Sequence, residues 1–260
     1  MVEVRELHEM AEFEQVGAVF EDIWHFGASA PPITIELMRA LAHAGGYVAG
    51  AFEGGRLVGG SVGFLASGNS LHSHVTGAVA GRGIGLELKL HQRLWALERG
   101  LERITWTYDP LMRRNAHFNL AKLGARPREY LPSFYGVMDD AINRGDESDR
   151  LLTVWPLSDP HVEALARREP PGSEPRGSDG LPVGAVVALA DVGGQPVRGP
   201  VDADTVLVAV PADIAGLRGA DPGTAKAWRH AVRDVLGGLM AEGRAVTGFA
   251  GKSYYVVERL

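Results

Sequence analysis

The chain has 260 residues, of which 45% are hydrophobic and 22% charged, and its formal net charge is −6. That balance is typical of a globular protein with room for one large domain or two small ones, and the negative charge speaks against nonspecific nucleic-acid binding. The absence of cysteine excludes a disulfide framework, a thiolate metal site and a cysteine nucleophile.

In chain order, the alternation Val2, Glu3, Val4, Arg5, Glu6, Leu7 predicts a first strand. Met10, Phe13, Val16, Val19, Phe20, Ile23 and Trp24 recur at helical spacing over 9–24, and the stretch from His25 to Pro32 breaks that helix. Thr34 suits the N-cap of a second helix over 35–43, which Gly45-Gly46 closes. Strands follow over 47–52 and 57–65, joined by the turn Glu53-Gly54-Gly55-Arg56. In the next strand, 70–79, alternation puts Leu71, Ser73, Val75 and Gly77 on one face and His72, His74, Thr76 and Ala78 on the other. The turn Gly81-Arg82-Gly83-Ile84-Gly85 then opens a helix over 85–99, with Leu86, Leu90, Leu94 and Leu97 at helical spacing. A strand over 103–108 ends at Asp109-Pro110, a helix over 114–123 ends at Gly124, and further strands are predicted near 125–137 and 150–155. These elements assemble into an α/β fold, a mixed sheet with flanking helices.

Composition shifts after residue 157. Residues 158–180 read as a connecting helix and a Pro/Gly-rich linker, and 181–260 as a small α/β region. The apolar runs 183–190 and 206–210 are strand-like, 224–242 is a helix with Trp228, Val232, Val235, Leu236 and Leu239 on one face, and 244–258 is a terminal hairpin. Both halves contain strand, long helix, strand, which allows the C-terminal region to be a partial structural echo of the first. The N-terminal residues are charged and carry no apolar core of signal-peptide length, and no run of about 18 apolar residues occurs, so a cytoplasmic location with no membrane partner is expected.

The glycine turn is the main chemical signal. A helix opened by glycines presents free backbone N–H groups and the positive end of its dipole, which together hold an anion, most often a phosphate. Three readings compete. A dinucleotide site needs G-x-G-x-x-G, whereas this turn is G-x-G-x-G; a Walker loop needs a Gly-Lys-Ser/Thr ending, absent here; a cradle for the pyrophosphate of coenzyme A needs neither.

Several segments carry a resemblance: Val79-Ala80-Gly81-Arg82-Gly83-Ile84-Gly85 with the helix after it, Trp106-Thr107-Tyr108-Asp109-Pro110-Leu111, Asn115-Ala116-His117-Phe118-Asn119, and Lys122-Leu123-Gly124-Ala125. In these the chain resembles the GNAT acyltransferase superfamily, and within it a group of acetyltransferases with an extra C-terminal region. The superfamily fold would cover residues 1–157. Gly83 and Gly85 match the glycines of the superfamily's Arg/Gln-x-x-Gly-x-Gly/Ala turn, while Ala80 takes the Arg/Gln place.

The resemblance implies that acetyl-CoA or another acyl-CoA is the cosubstrate, that a small-molecule amine is the acceptor, and that no metal or nucleic acid takes part; it also allows a homodimer. Direct attack of the amine on the thioester is the implied reaction, with an acyl-CoA-binding protein or acyl-CoA hydrolase as the alternative. The cofactor turn would be Val79, Ala80, Gly81, Arg82, Gly83, Ile84 and Gly85, with Asn115 as a further contact or simply a helix N-cap. Relatives carry a glutamate base on the strand equivalent to 70–79. Here that strand has no carboxylate, and His72 and His74 are the candidate bases, weighed against ordinary packed histidines. The tyrosine acid of relatives falls at Leu120; Tyr130 and Tyr135 lie just downstream, and Tyr135 is the candidate acid, weighed against core packing for either. Trp24 and His25 lie where relatives shape the acceptor pocket, and Asp109 is either an amine-binding carboxylate or a strand terminator.

Overall fold

The computed structural model describes residues 2–26, 31–136, 146–169 and 180–259. The fold is mixed α/β, and packing divides it into two compact units, Met1–Trp106 with Pro156–Ser158, and Thr107–Trp155 with Asp159–Leu260.

The first unit holds β1 (Val2–Glu6), α1 (Met10–Trp24), α2 (Ile35–His43), β2 (Tyr47–Glu53), β3 (Arg56–Ala66), β4 (Ser70–Ala78) and α3 (Ile84–Glu98), and ends within β5 (Arg103–Tyr108). Its strands run in the order β1-β2-β3-β4-β5, antiparallel except for the parallel pair β4–β5. Helices cover both faces. Phe13, Val16 and Phe20 of α1 and Met38 of α2 pack with Val48, Leu57 and Val62 on one face, whereas Ile84 and Leu88 of α3 pack with Ala51 and Val58 on the other. Thr34 caps α2 as predicted, accepting from the Leu37 amide at 3.2 Å. Helix α1 lies close to the sheet because β4 has a glycine under it: a Cβ on Gly77 would stand 2.6 Å from the Trp24 ring.

Two expectations in this unit are corrected. Opposite β3, Val62 pairs with Val75 and Gly63 with Ser73, so His74 is an extra residue in β4. This bulge shifts the alternation. Ser73 and Thr76 both reach groups on the α3 side, directly or through Ser61, while Val75 packs into the α1 cluster. The buried stripe of α3 is also not Leu86, Leu90, Leu94 and Leu97. It is Ile84, Leu88, Lys89, Gln92, Trp95 and Ala96, and Leu94 is 56% exposed.

The second unit continues with α4 (Arg113–Ala116), which widens into a π-helical turn (His117–Lys122), so the predicted helix 114–123 is only partly α. Strand β6 (Arg126–Leu131), shorter than expected, pairs antiparallel with β7 (Arg150–Pro156). After α5 (Pro160–Ala166), strands β8 (Val186–Val192), β9 (Gln195–Arg198) and β10 (Thr205–Ala209) lead to α6 (Ile214–Ala220), α7 (Pro222–Val232) and α8 (Gly238–Ala241). The chain closes with the expected hairpin β11 (Ala245–Ala250) and β12 (Tyr254–Glu258). The sheet order is β11-β12-β10-β8-β9, with β8 and β10 parallel. Strand β9 and helix α6 were not predicted; α6 is short, and Asp213 caps it. Most of the predicted linker, 170–179, lies outside the described residues. Among the described residues no helix is long and apolar enough to cross a membrane.

Candidate functional site

Strands β4 and β5 are parallel neighbours only at their start. Ser70, Leu71 and His72 pair with Arg103, Ile104 and Thr105, and there the ladder stops, although β4 runs on to Ala78. Beyond this fork the two strands no longer pair with each other. The first residues past the fork are Ser73 and Trp106, and one side chain of α3 holds both. Lys89 Nζ donates to Ser73 Oγ at 2.8 Å and sits 4.2 Å from the centre of the Trp106 ring. It also donates to Gln92 Oε1 at 3.1 Å. Gln92 Nε2 in turn donates to Ser61 Oγ at 3.3 Å, and the Ser61 and Thr76 hydroxyls meet at 2.7 Å. Lys89 is only 5% exposed, and burial pushes its ammonium down from 10.5 to about 7.

The two candidate histidines share the edge of the fork. His72 is half-buried, and its Nδ1 lies 3.0 Å from Thr105 Oγ1 across the last rung of the ladder. Burial lowers the His72 pKa below 6.5, and nearby His74 and Lys89 lower it further, so the neutral imidazole dominates at neutral pH. His74, on the bulge, is exposed, and its Nε2 lies 3.1 Å from the Pro32 carbonyl oxygen. The Phe64 ring stacks obliquely against both, with centroids 5.2 and 6.1 Å away.

At its C-terminal end β4 is held by Val79, whose amide donates to the Val58 carbonyl at 3.0 Å. Then the chain turns through Val79–Gly83 into α3. Gly83 is the N-cap in a left-handed conformation (φ 73°) and no side chain caps the helix. Any residue with a Cβ is strained there. A Cβ on Gly81, Gly83 or Gly85 would meet nothing within 4 Å, so these glycines border open space. Ile84 anchors the helix start in the core. Arg82 is ion-paired with Glu53 at the β2–β3 turn.

No protein-family model and no curated protein matches the sequence. Solved structures do match the fold. The ribosomal-protein-S18-alanine N-acetyltransferase of Escherichia coli superposes with a TM-score of 0.50 at 11% identity, over 61% of this chain and 96% of that one. An N-acetyltransferase of Staphylococcus aureus Mu50 superposes with a TM-score of 0.50 at 12% identity, over 61% and 99%. The chain has the GNAT acetyltransferase fold. The remainder is an additional region beyond the GNAT fold.

The other predicted site residues distribute as follows. Trp24 packs on Phe20 at 5.0 Å and over Gly77. His25 is the exposed left-handed C-cap of α1 (φ 49°). Asn115 is exposed inside α4, whose N-cap is Met112, so the N-cap reading of Asn115 does not hold. Leu120, where the resemblance would put the tyrosine acid, is buried. Tyr135 is 51% exposed in the turn after β6; its hydroxyl lies 3.4 Å from Thr107 Oγ1 and its amide donates to Ser148 Oγ at 2.7 Å.

Asp109 sits in a buried ion network of the second unit. Its carboxylate accepts from Arg218 at 2.6 Å, from Arg229 at 2.8 and 2.9 Å, and from the Leu111 amide at 2.9 Å. Asp146 receives the same two guanidiniums. Burial opposes ionisation of Asp109, but the Arg229 and Arg218 charges outweigh it and hold its carboxyl far below the usual range. These contacts engage both carboxylate oxygens.

Residue order alone did not reveal Lys89 or Ser73. The available signal was the pair Lys89 and Gln92, three apart on the same stripe as Leu88 and Trp95, where an amphipathic helix ordinarily has apolar residues.

Proposed function

We propose that the protein is an acyl-CoA-dependent N-acyltransferase that passes an acyl group, acetyl in the simplest case, to a small amine. The observation that carries this reading is the β4–β5 fork lying on the same strand as an uncapped, glycine-lined helix start. Ala80, Gly81, Gly83, Ile84 and Gly85 supply backbone amides and open space for a diphosphate, Val79 anchors the start of the turn through its bond to Val58, and the fork between β4 and β5 admits an extended pantetheine arm. The absence of Cβ atoms where the diphosphate would approach is the feature that fits this ligand.

His72 is the base in this reading. The acceptor nitrogen must lose a proton as it attacks the thioester carbon, and a half-buried, neutral imidazole oriented by Thr105 can take it. His74 on the bulge and Phe64 beside it would then border the acceptor. The buried Leu120 favours a second reading, acyl-CoA binding or hydrolysis without amine transfer, because the tyrosine acid of relatives has no counterpart there.

Thermal unfolding with and without acetyl-CoA is the first test. A ligand at 100 times its dissociation constant raises stability by about 2.7 kcal/mol, and no shift at millimolar acetyl-CoA overturns the proposal. Release of CoA thiol, measured with and without a panel of amines, then separates transfer from hydrolysis.

A further inference from the structure

Resting on the acyltransferase reading above, we infer that Lys89 and Ser73 form the device that stabilises the CoA thiolate as it leaves: Ser73 donates its hydroxyl proton toward sulfur, and the Lys89 ammonium behind it supplies the charge. Three observations on β4, β5 and α3 meet at this point, and a fourth concerns the usual acid. The ladder between β4 and β5 ends at His72 and Thr105. The side chains of the next residue on each strand, Ser73 and Trp106, both meet Lys89 Nζ on the α3 side of the fork. Lys89 donates to Ser73 Oγ, which leaves the single Ser73 O–H to donate elsewhere. And the position of the usual tyrosine acid is the buried Leu120, so the leaving group needs help from another quarter.

A buried ammonium without a carboxylate is costly in an ordinary core. The groups facing Lys89 are Gln92 on its own helix, Ser73 on β4 and the Trp106 ring on β5, with Ser61 of β3 and Thr76 of β4 linked through Gln92. The titratable neighbour is His72, which also becomes a cation when protonated. Glu6 of β1 is turned to the Trp95 indole and acts on His91 rather than on Lys89. Among the described residues the ammonium thus meets dipoles and a π face and no carboxylate, and an arriving anion would be a negative partner for it. That arrangement is preorganised for charge that develops only during reaction.

The step balances. The acceptor nitrogen forms a bond to the thioester carbon, its proton passes to His72, and the carbon–sulfur bond breaks with its electron pair on sulfur. The thiolate accepts a hydrogen bond from Ser73 and takes its proton from solvent, to which His72 returns the one it received. Lys89 acts through Ser73 and is a positioning residue in this scheme.

The test uses the product, CoA, bound to the full chain, and follows thiolate formation by its ultraviolet absorbance across pH. A thiolate beside Lys89 favours the charged ammonium, so the two groups titrate together, and that ammonium lowers the thiol pKa by about one unit or more. Lys89→Met and Ser73→Ala should return the bound thiol to its free value, and Lys89→Arg should restore part of the shift. In turnover, Lys89→Met should lower kcat at least tenfold with little change in acyl-CoA affinity. If wild type binds CoA but its thiol titrates as in solution, or equally in all variants, the inference fails while the acyltransferase reading survives. If wild type binds no CoA, both fall.

Discussion

Replacing Lys89 by Met isolates the cost of burying the ammonium. Burial lowers the Lys89 pKa from 10.5 to about 7, so between these values the unfolded chain holds a proton that the folded chain has released. Stability therefore rises with pH across that window, by up to about 1.4 kcal/mol per pH unit, and is lowest below about pH 7. From about pH 7 to about pH 9 the wild type should gain about 2–3 kcal/mol from this one group. Met carries no charge and lacks the hydrogen bonds to Ser73 and Gln92, a loss of about 1 kcal/mol each that does not depend on pH. Urea unfolding of both proteins at several pH values gives the difference curve, in which other titrating groups cancel. The variant should be the more stable relative to wild type on the acid side and lose that advantage as pH rises. A difference that is flat from about pH 6 to about pH 9 refutes the reasoning, because it would mean that Lys89 keeps its charge in the fold.

Other outcomes follow from the same geometry. Gly85 lies in the first turn of α3 with open space around its Cβ position; Gly85→Ala should raise stability by about 0.5–1 kcal/mol yet weaken the acetyl-CoA-induced thermal shift, and an undiminished shift would place the ligand elsewhere. His72→Gln should lower kcat about 10²- to 10⁴-fold with acetyl-CoA binding intact. It should also remove the acid limb of the pH profile, which in wild type lies below 6.5 because burial, His74 and Lys89 all depress this imidazole. Asp109→Asn leaves Arg218 and Arg229 short of a buried counter-charge and should cost about 3–5 kcal/mol in urea unfolding near neutral pH. Since the folded pKa of Asp109 is depressed below 3.8, its contribution is complete above that value and is lost as pH falls further, so the variant should also show a shallower acid unfolding transition.

Local signals carried well wherever one element decides its own shape. Thr34 as a cap, the Gly54-Gly55 turn and the terminal hairpin were all legible, because each depends on residues a few positions apart. Trp228 was legible as a core residue of its helix, whereas the ion-pair partners of Arg229 beside it, Asp109 and Asp146, lie far away in sequence. The bulge at His74 was not visible. The residue types of β4 alternate through His74 without a break, so the extra residue that shifts the faces after it shows only in the register against β3. The stripe of α3 was misread for a similar reason. Four leucines at helical spacing look like a core face, yet the sheet beneath accepts Ile84, Leu88 and Trp95 and turns Leu94 outward.

Taken alone, the sequence determined the GNAT-like order of elements and the glycine turn, since turns, caps and periodicity are local properties of the chain. The placement of a buried lysine at the point where β4 and β5 part, and of a neutral histidine on the last rung beside it, was decided only by tertiary structure. Both depend on strand register and on which face of α3 meets the sheet, and those are settled by long-range packing between residues that sequence distance keeps apart.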